Sequence, residues 1–330
     1  MTDRHDLVVL GDANPDVILR GAPEQLTFGQ AEREIEGATL TLGGSGALMA
    51  HAAARLGLRT AFVGLVGADR SGDLVLAVLA DAGVDVSGVT RDADLATAMT
   101  VIFVRPDGDR AMLTAPGALS AFGPEHVDHD LLAQAAHVHV ASPFLQPRLM
   151  PALPSLLGRA REHGAITSLD TNDDPSRRWD FDRGALFPVV DYLLPNEQEA
   201  VALAFGSAGG GDAAEAARRL ASHGPVVVVK CGAAGALAAR ARQSEGPLLR
   251  ATIPPGDGAA EPVVDTVGAG DTFDAGLVAG LVQGLDLEDA LRLAVAAGTL
   301  SVRREGGVDG QPSAADAARL AERAVVRDEG

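Results

Sequence analysis

The chain has 330 residues, a formal net charge of −18 and a single cysteine, Cys231. An acidic balance of that size excludes nucleic acid and anionic membrane as partners, because both repel it, but leaves room for a nucleotide whose phosphates a metal ion neutralises. One cysteine excludes an intramolecular disulfide and fits a reducing cytosol, and the length suits one large α/β domain or two small ones.

The N-terminus carries Asp3, Arg4 and Asp6 and passes directly into Leu7-Val8-Val9-Leu10. That apolar run is too short for a signal-peptide core or a membrane span, so a cytoplasmic protein is expected. The first strand closes on Gly11-Asp12-Ala13-Asn14-Pro15-Asp16. Ligands of open α/β sheets collect at the carboxyl ends of strands. Asn14 and Asp16 suit hydroxyl recognition there, since a carboxylate accepts from two adjacent OH groups; an Asx turn capped by its own side chains accounts for the same residues. Val17 to Leu42 lacks a helical period, and its Glu32-Arg33-Glu34-Ile35-Glu36 run is polar. Gly43-Gly44-Ser45-Gly46 then opens a helix predicted over Ser45–Leu56. Its glycines admit a ligand close to the backbone, or simply pack a tight turn, and Ser45 suits a helix cap.

A strand over Thr60–Val66 and a helix over Ser71–Ala82 follow. Thr97–Val104 and Arg110–Leu113 flank Pro106-Asp107-Gly108-Asp109, which reads as a hairpin turn. Arg110 is either a solvated surface residue or a contact for a substrate anion. With Val17–Leu42, this hairpin reads as β-structure outside the main sheet. Strands over Val138–Ala141, Ala165–Leu169, Val190–Leu194 and Val226–Lys230 then alternate with helices over Pro147–Glu162, Glu197–Phe205 and Asp212–Ser222. Continuous apolar strands alternating with helices predict a doubly wound, mostly parallel sheet buried on both faces.

Several polar residues sit at the ends of these elements. His137 and His139 share one face of a strand, without the third ligand a zinc site needs. Asp170 and Asn172 follow the Ala165–Leu169 strand. Asn196 and Glu199 form the two ends of a capping box at a helix start. Lys230-Cys231-Gly232-Ala233-Ala234-Gly235 ends a strand in a glycine turn; Cys231 has no activating histidine beside it and reads as a small buried side chain. A strand over Pro247–Ile253 is followed by a flexible Pro254-Pro255-Gly256-Asp257-Gly258 loop.

Near the C-terminal end, Pro262-Val263-Val264-Asp265-Thr266-Val267-Gly268-Ala269-Gly270-Asp271-Thr272-Phe273 passes from an apolar strand through a glycine turn into a helix. Gly268, Ala269 and Gly270 leave backbone N–H groups free at the helix N-terminus, where peptide dipoles favour an anion. Asp271 lies in the first turn, so the same field is expected to keep it ionised and able to accept a proton. Fixed donors beside a base are what phosphoryl transfer to an alcohol needs; an Asp that merely caps a helix is the competing reading. Helices over Thr272–Gln283, Leu287–Arg304 and Ala314–Val325 complete the chain. No G-x-x-x-x-G-K-[ST] is present, and no G-x-G-x-x-G follows the first strand, so neither a P-loop nor a dinucleotide fold is supported.

In this order the motifs resemble those of the ribokinase-like (PfkB) carbohydrate kinases, whose second signature, D-T-x-G-A-G-D, is complete at Asp265–Asp271. The resemblance implies a three-layer α/β kinase domain over residues 1–330, with a small β-sheet lid from about 17–42 and 97–114 that also supplies a homodimer face. It implies Asp271 as catalytic base, with Gly268, Ala269 and Gly270 as the anion hole. It puts Asn14, Asp16, Gly43 and Gly44 at the substrate and Asn196, Lys230, Gly232 and Gly235 at the nucleotide. Glu199 would act on Mg²⁺ through water, and Asp170 and Asn172 would lie near the phosphates. ATP and Mg²⁺ follow as cofactors, with K⁺ near the anion-hole loop as a further candidate. One departure is Leu48, which stands where the family commonly has an Asn that contacts sugar hydroxyls. The expected activity is ATP-dependent phosphorylation of a hydroxyl on a sugar or sugar derivative. A nucleoside kinase on the same scaffold and a non-catalytic sugar- or nucleotide-binding regulator remain as alternatives.

Overall fold

The structure, a computed structural model, describes residues 4–26, 28–107, 109–207, 209–240, 246–254 and 262–329. In chain order the elements begin with β1 (His5–Leu10), β2 (Asn14–Arg20), β3 (Gly37–Gly43), α1 (Ser45–Arg55), β4 (Thr60–Gly67), α2 (Arg70–Asp81) and β5 (Val89–Asp92). They continue with β6 (Met99–Val104), β7 (Arg110–Ala115), α3 (His129–Ala133), β8 (Ala135–Ala141), α4 (Leu153–Glu162), β9 (Ile166–Asp170), α5 (Arg183–Leu186), β10 (Tyr192–Leu193) and α6 (Glu197–Phe205). The last are α7 (Ala213–Ala221), β11 (Val226–Lys230), β12 (Ala236–Ala239), β13 (Leu248–Thr252), α8 (Ala269–Val282), α9 (Leu287–Ser301), α10 (Ala314–Ala321) and β14 (Val325–Glu329).

Two sheets result. The large one runs β14-β13-β12-β11-β10-β9-β8-β1-β4-β5, and the small one runs β3-β2-β6-β7. From β11 to β5 the large sheet is parallel; β11 to β14 pair antiparallel. This is the expected doubly wound architecture, and the small sheet forms a lid of four strands. Successive residues of β1 go to opposite faces, as the strand period requires. Val8 and Leu10 pack with Leu153 and Leu157 of α4 and Leu203 of α6. Leu7 and Val9 pack with Met49 of α1 and Val278 of α8.

Helices α8 and α9 meet along a seam of small residues. A Cβ on Gly276 would lie 2.9 Å from the Ala294 Cα, and one on Gly280 would lie 2.8 Å from the Ala290 Cα. The contact is therefore backbone to backbone, which fixes α8, the helix that starts at the glycine turn, against the rest of the layer.

Some boundaries differ from the sequence reading, each for a local reason. Pro262–Val264 is not a strand: Val263 and Val264 are exposed, and the Val264 N–H donates to the Val302 carbonyl (2.7 Å) instead of to a ladder. The helix begun at Leu287 stops at Ser301, and the one begun at Ala314 stops at Ala321. Val325 onward turns into β14, which adds to the sheet edge beside β13. The hairpin of β6 and β7 forms, with Gly108 of its turn outside the described residues. The loop expected at Pro254-Pro255-Gly256-Asp257-Gly258 lies outside them beyond Pro254. Among the described residues, no helix is long and apolar enough to cross a membrane.

His137 and His139 are core residues that share the Ser168 hydroxyl, at 2.7 and 2.8 Å. Burial holds His137 down at about 3, aided by its neighbour; burial also holds His139 down, at about 4, against the pull of the Asp170 charge. A base with a depressed pKa binds fewer protons folded than unfolded. The pair's contribution is thus complete above an unfolded value of 6.5 and is lost as pH falls toward 4 and then 3. Each neutral histidine should give a slope of about 1.4 kcal/mol per pH unit in that window. Denaturant midpoints measured against pH should therefore fall less steeply between pH 6.5 and 4 in His139→Asn than in the unaltered protein; equal slopes would disprove the assignment.

Candidate active site

The lid strand β2 carries Asn14 and Asp16 on the face that also presents Thr100 of β6, with Asp16 paired to Thr41 and Thr100 across the sheet. Asn14 Nδ2 donates to Asp16 Oδ1 at 2.7 Å and to Thr100 Oγ1 at 3.4 Å, and Thr100 Oγ1 lies 3.1 Å from Thr114 Oγ1. No Asx turn forms here; both residues belong to a strand. Burial pushes Asp16 up to about 7, against the opposing Asn14 hydrogen bond. Gly43 faces Asp16 so closely that an added Cβ would lie 2.1 Å from the carboxylate. Gly43→Ala should therefore displace Asp16 and lower kcat/KM for the substrate by about 100-fold, with ATP affinity unaltered; unchanged kinetics would remove Asp16 from the site.

Asp12, which lies in the run after the first strand but has no role predicted from sequence, holds this region together. Its carboxylate accepts from the N–H groups of Ser45 (3.1 Å) and Gly46 (3.0 Å), and its carbonyl accepts from Ala47. The first amides of α1 are therefore capped by Asp12, with Gly44 at the N-cap and without help from the Ser45 side chain, which was the expected cap. The Ser45 hydroxyl instead interacts with Asp271. Leu48, one turn on, is buried and packs against Gly268 and Gly307.

The glycine turn before α8 forms as the sequence indicates. Gly268 is the N-cap, at φ 72°, a left-handed conformation that glycine adopts without penalty. Of the three amides assigned to the anion hole, Ala269 N–H is turned inward to the Thr266 carbonyl at 3.3 Å. The N–H groups of Gly268 and Gly270 have no hydrogen bond among the described residues. Asp271 sits in the first turn and is 8% exposed. Its expected ionisation is not what the surroundings favour: burial, then the charge of Asp170, pushes it up to about 8. The helix terminus is worth about 0.3–1 kcal/mol to a carboxylate, less than one pKa unit, so burial wins.

On the far side of Gly270 lies Lys230. Its Nζ is 2.7 Å from Asp170 Oδ2 and 3.0 Å from Asp274 Oδ2, and 3.5 Å from where a Gly270 Cβ would stand. Burial draws the lysine down, but the charges of Asp170 and Asp274 outweigh it and keep the ammonium charged. Asp274, another residue without a motif, has a second oxygen, Oδ1, that is buried and unpartnered.

Asn196 and Glu199 form a reciprocal capping box at α6, with Asn196 N–H to Glu199 Oε2 at 2.8 Å and Glu199 N–H to Asn196 Oδ1 at 2.9 Å. Burial, then the Asp170 charge, pushes Glu199 up to about 7. Gly232 is exposed with open space beside it. Gly235 abuts the Ala251 carbonyl, where a Cβ would lie 2.0 Å away, so the β11–β12 turn alone accounts for it. Asn172 Nδ2 donates to the Ser142 hydroxyl at 3.1 Å, both residues having positive φ. Arg110 is exposed on β7. Burial pushes the Cys231 thiol up to about 11, which leaves it inert as a nucleophile. A concavity of about 550 Å³ lined by His51, Arg55, Arg304, Glu305, Val308 and Asp309 includes none of the site residues expected from sequence.

Comparison with known proteins bears on the chain as a whole. The model of the pfkB family of carbohydrate kinases matches residues 4–314. The ATP-dependent ribose-1-phosphate kinase of Halopiger xanaduensis is 33% identical over 316 residues, spanning 95% of this chain and 97% of its own. The structure of Arabidopsis thaliana ribokinase complexed with ribose and ATP superposes with a TM-score of 0.81 at 26% identity, over 97% of this chain and 99% of that one. A putative ribokinase II from E. coli, in complex with ATP and Mg²⁺, superposes with a TM-score of 0.76 at 24% identity, over 97% and 99%.

Proposed function

Because the chain belongs to the pfkB family of carbohydrate kinases, ATP-dependent phosphotransferases of ribokinase-like fold, we propose that Asp271 is the base of its reaction and Asp16 the anchor of its sugar. In this reading a substrate hydroxyl lies against Asp271, gives up its proton to the carboxylate, and attacks the γ-phosphorus. The new O–P bond forms as the bond to the ADP oxygen breaks. The N–H groups of Gly268 and Gly270 face the charge on the transferred group, with the Lys230 ammonium beside them. The observation that carries the reading is this pair of uncommitted amides at the start of α8, with a carboxylate in the same turn. Ala269 contributes its place in the turn more than its N–H.

Asn14, Asp16, Gly43 and Gly44 would hold the sugar hydroxyls, and Asn196, Lys230 and Gly232 the nucleotide; Gly235 would shape the turn beneath it. Among the described residues, no group of three or more His, Cys, Asp or Glu is placed to hold a metal. Mg²⁺ would enter with the phosphates and keep most of its waters, which Glu199 would orient. When bound, the ion neutralises phosphate charge. K⁺ fits less well: Asp265, the acid beside the loop, already engages Arg20 and two backbone N–H groups. No step is assigned to K⁺. We also place a homodimer contact on the lid, where Leu40, Met112 and Leu113 are exposed, in a cytoplasmic protein.

The Leu48 side chain has no hydrogen-bonding group, so in this reading the sugar is recognised chiefly from the lid side. ADP release measured over sugars, sugar phosphates, sugar acids and nucleosides tests this reading. A sugar or sugar derivative should stimulate release, with one phosphorylated product per ADP. Stimulation by nucleosides alone would replace the sugar reading with a nucleoside kinase.

A further inference from the structure

Neither Arg20 nor Glu305 belongs to any motif described above, yet both meet at the start of the catalytic loop. Asn14, Asp16, Ile18 and Arg20 share one face of β2 by the two-residue period. The Arg20 backbone is fixed in the sheet by its pairing with Gly37 and Val104 and by the Glu36 N–H that its carbonyl accepts. From there the guanidinium leaves the lid and reaches the large domain, 3.6 Å from Asp265 and 3.4 Å from Glu305.

Asp265 is a junction. Its Oδ1 accepts the Val267 N–H at 3.0 Å, at the entrance to the glycine turn, and its Oδ2 accepts the Gly306 N–H at 3.1 Å, from the segment after α9. Its side chain is 10% exposed and that of Glu305 63%, so the contact with Asp265 carries the coupling and Glu305 adds a screened charge. One carboxylate thus ties together a lid strand, the turn that presents Gly268 and Gly270, and the loop packed behind that turn.

We propose that Arg20 is a positioning residue that locks the lid to the anion-hole loop through Asp265, so that the sugar-holding strand and the phosphoryl-holding amides take up their working geometry together. The proposal rests on the kinase reading of the site. Asp16 and Arg20 lie on one strand, so any shift of the lid that seats the sugar also moves the guanidinium against Asp265. Arg20 itself touches no reacting atom.

The test is Arg20→Met, which keeps the length of the side chain and removes its charge, with Arg20→Lys as the conservative variant. For sugar phosphorylation, kcat should fall by about tenfold and the sugar KM should rise, a coupling loss within the usual range. ADP affinity in the absence of sugar should stay within about twofold of the original. The ratio of ADP released to sugar phosphate formed should rise above one, because a lid that does not lock admits water. Arg20→Lys should recover part of kcat, as a point charge without the planar fork. Independently of turnover, peptides spanning 262–273 should exchange amide hydrogens at least about fivefold faster in Arg20→Met. Unaltered exchange together with an unaltered product ratio overturns the lock. Should the unaltered protein phosphorylate no substrate, the site assignment fails, and the exchange measurement still decides whether Arg20 orders the loop.

Discussion

Asp271→Asn is expected to lower kcat by about 10²–10⁴-fold, the range associated with a positioned general base, while ADP binds within a few-fold of its original affinity. Asn has the shape of Asp and cannot take the proton. The side chain is 8% exposed and shares its surroundings with Ser45, so the substitution fits without new space. The unaltered enzyme should also show a pH signature. With Asp271 pushed up to about 8, the free enzyme holds the base largely protonated at neutrality. Only the deprotonated form is active as a base, so kcat/KM should climb as pH rises through that value and level off above it. A flat profile from pH 6 to 9, or an Asn variant that retains more than about a tenth of kcat, would transfer the role elsewhere.

The second large effect concerns stability. Lys230→Met should destabilise the protein by about 3–5 kcal/mol, because it leaves Asp170 and Asp274 buried together without the cation between them. Urea unfolding would register this as a lower midpoint. Adding Asp274→Asn should restore part of the loss by removing one of the stranded charges. A loss below about 1 kcal/mol, the value of an exposed pair, would mean that the triad is solvated in solution. The arrangement has a chemical use. Lys230 cannot leave its two carboxylates cheaply, so its ammonium stays beside Gly270 whether or not phosphate is present.

Much of this was legible in the sequence, because each element is short and chemically uniform. Val226–Lys230 reads as a buried strand because four valines admit nothing else, and Asn196 with Glu199 reads as a capping box because both ends of the reciprocal bond are present. The glycine turn before α8 was visible for the same reason. What stayed hidden depends on partners far away in the chain. Asp12 lies inside a noted motif, but its task is set by amides more than thirty residues later. Asp274 looks like one polar residue in an Ala- and Gly-rich helix until Lys230 arrives from another strand. Arg20 meets Asp265 across most of the chain. The sequence points to an ionised Asp271 because the helix terminus is a local feature, whereas burial and the Asp170 carboxylate, which favour the neutral form, belong to the assembled protein.

The seam of small residues between α8 and α9 bears on how far the start of α8 can move. Backbone contact at Gly276 and Gly280 holds the middle of α8, and Gly298 of α9 closes on the Ala269 carbonyl and Phe273, so the Asp271 carboxylate and the amides beside it are braced against the same neighbour. Their dipoles are oriented once, during folding, and need no realignment at each catalytic cycle. In the proposed reaction, adjustment to the substrate would then fall to the lid, while the start of α8 stays as folding sets it.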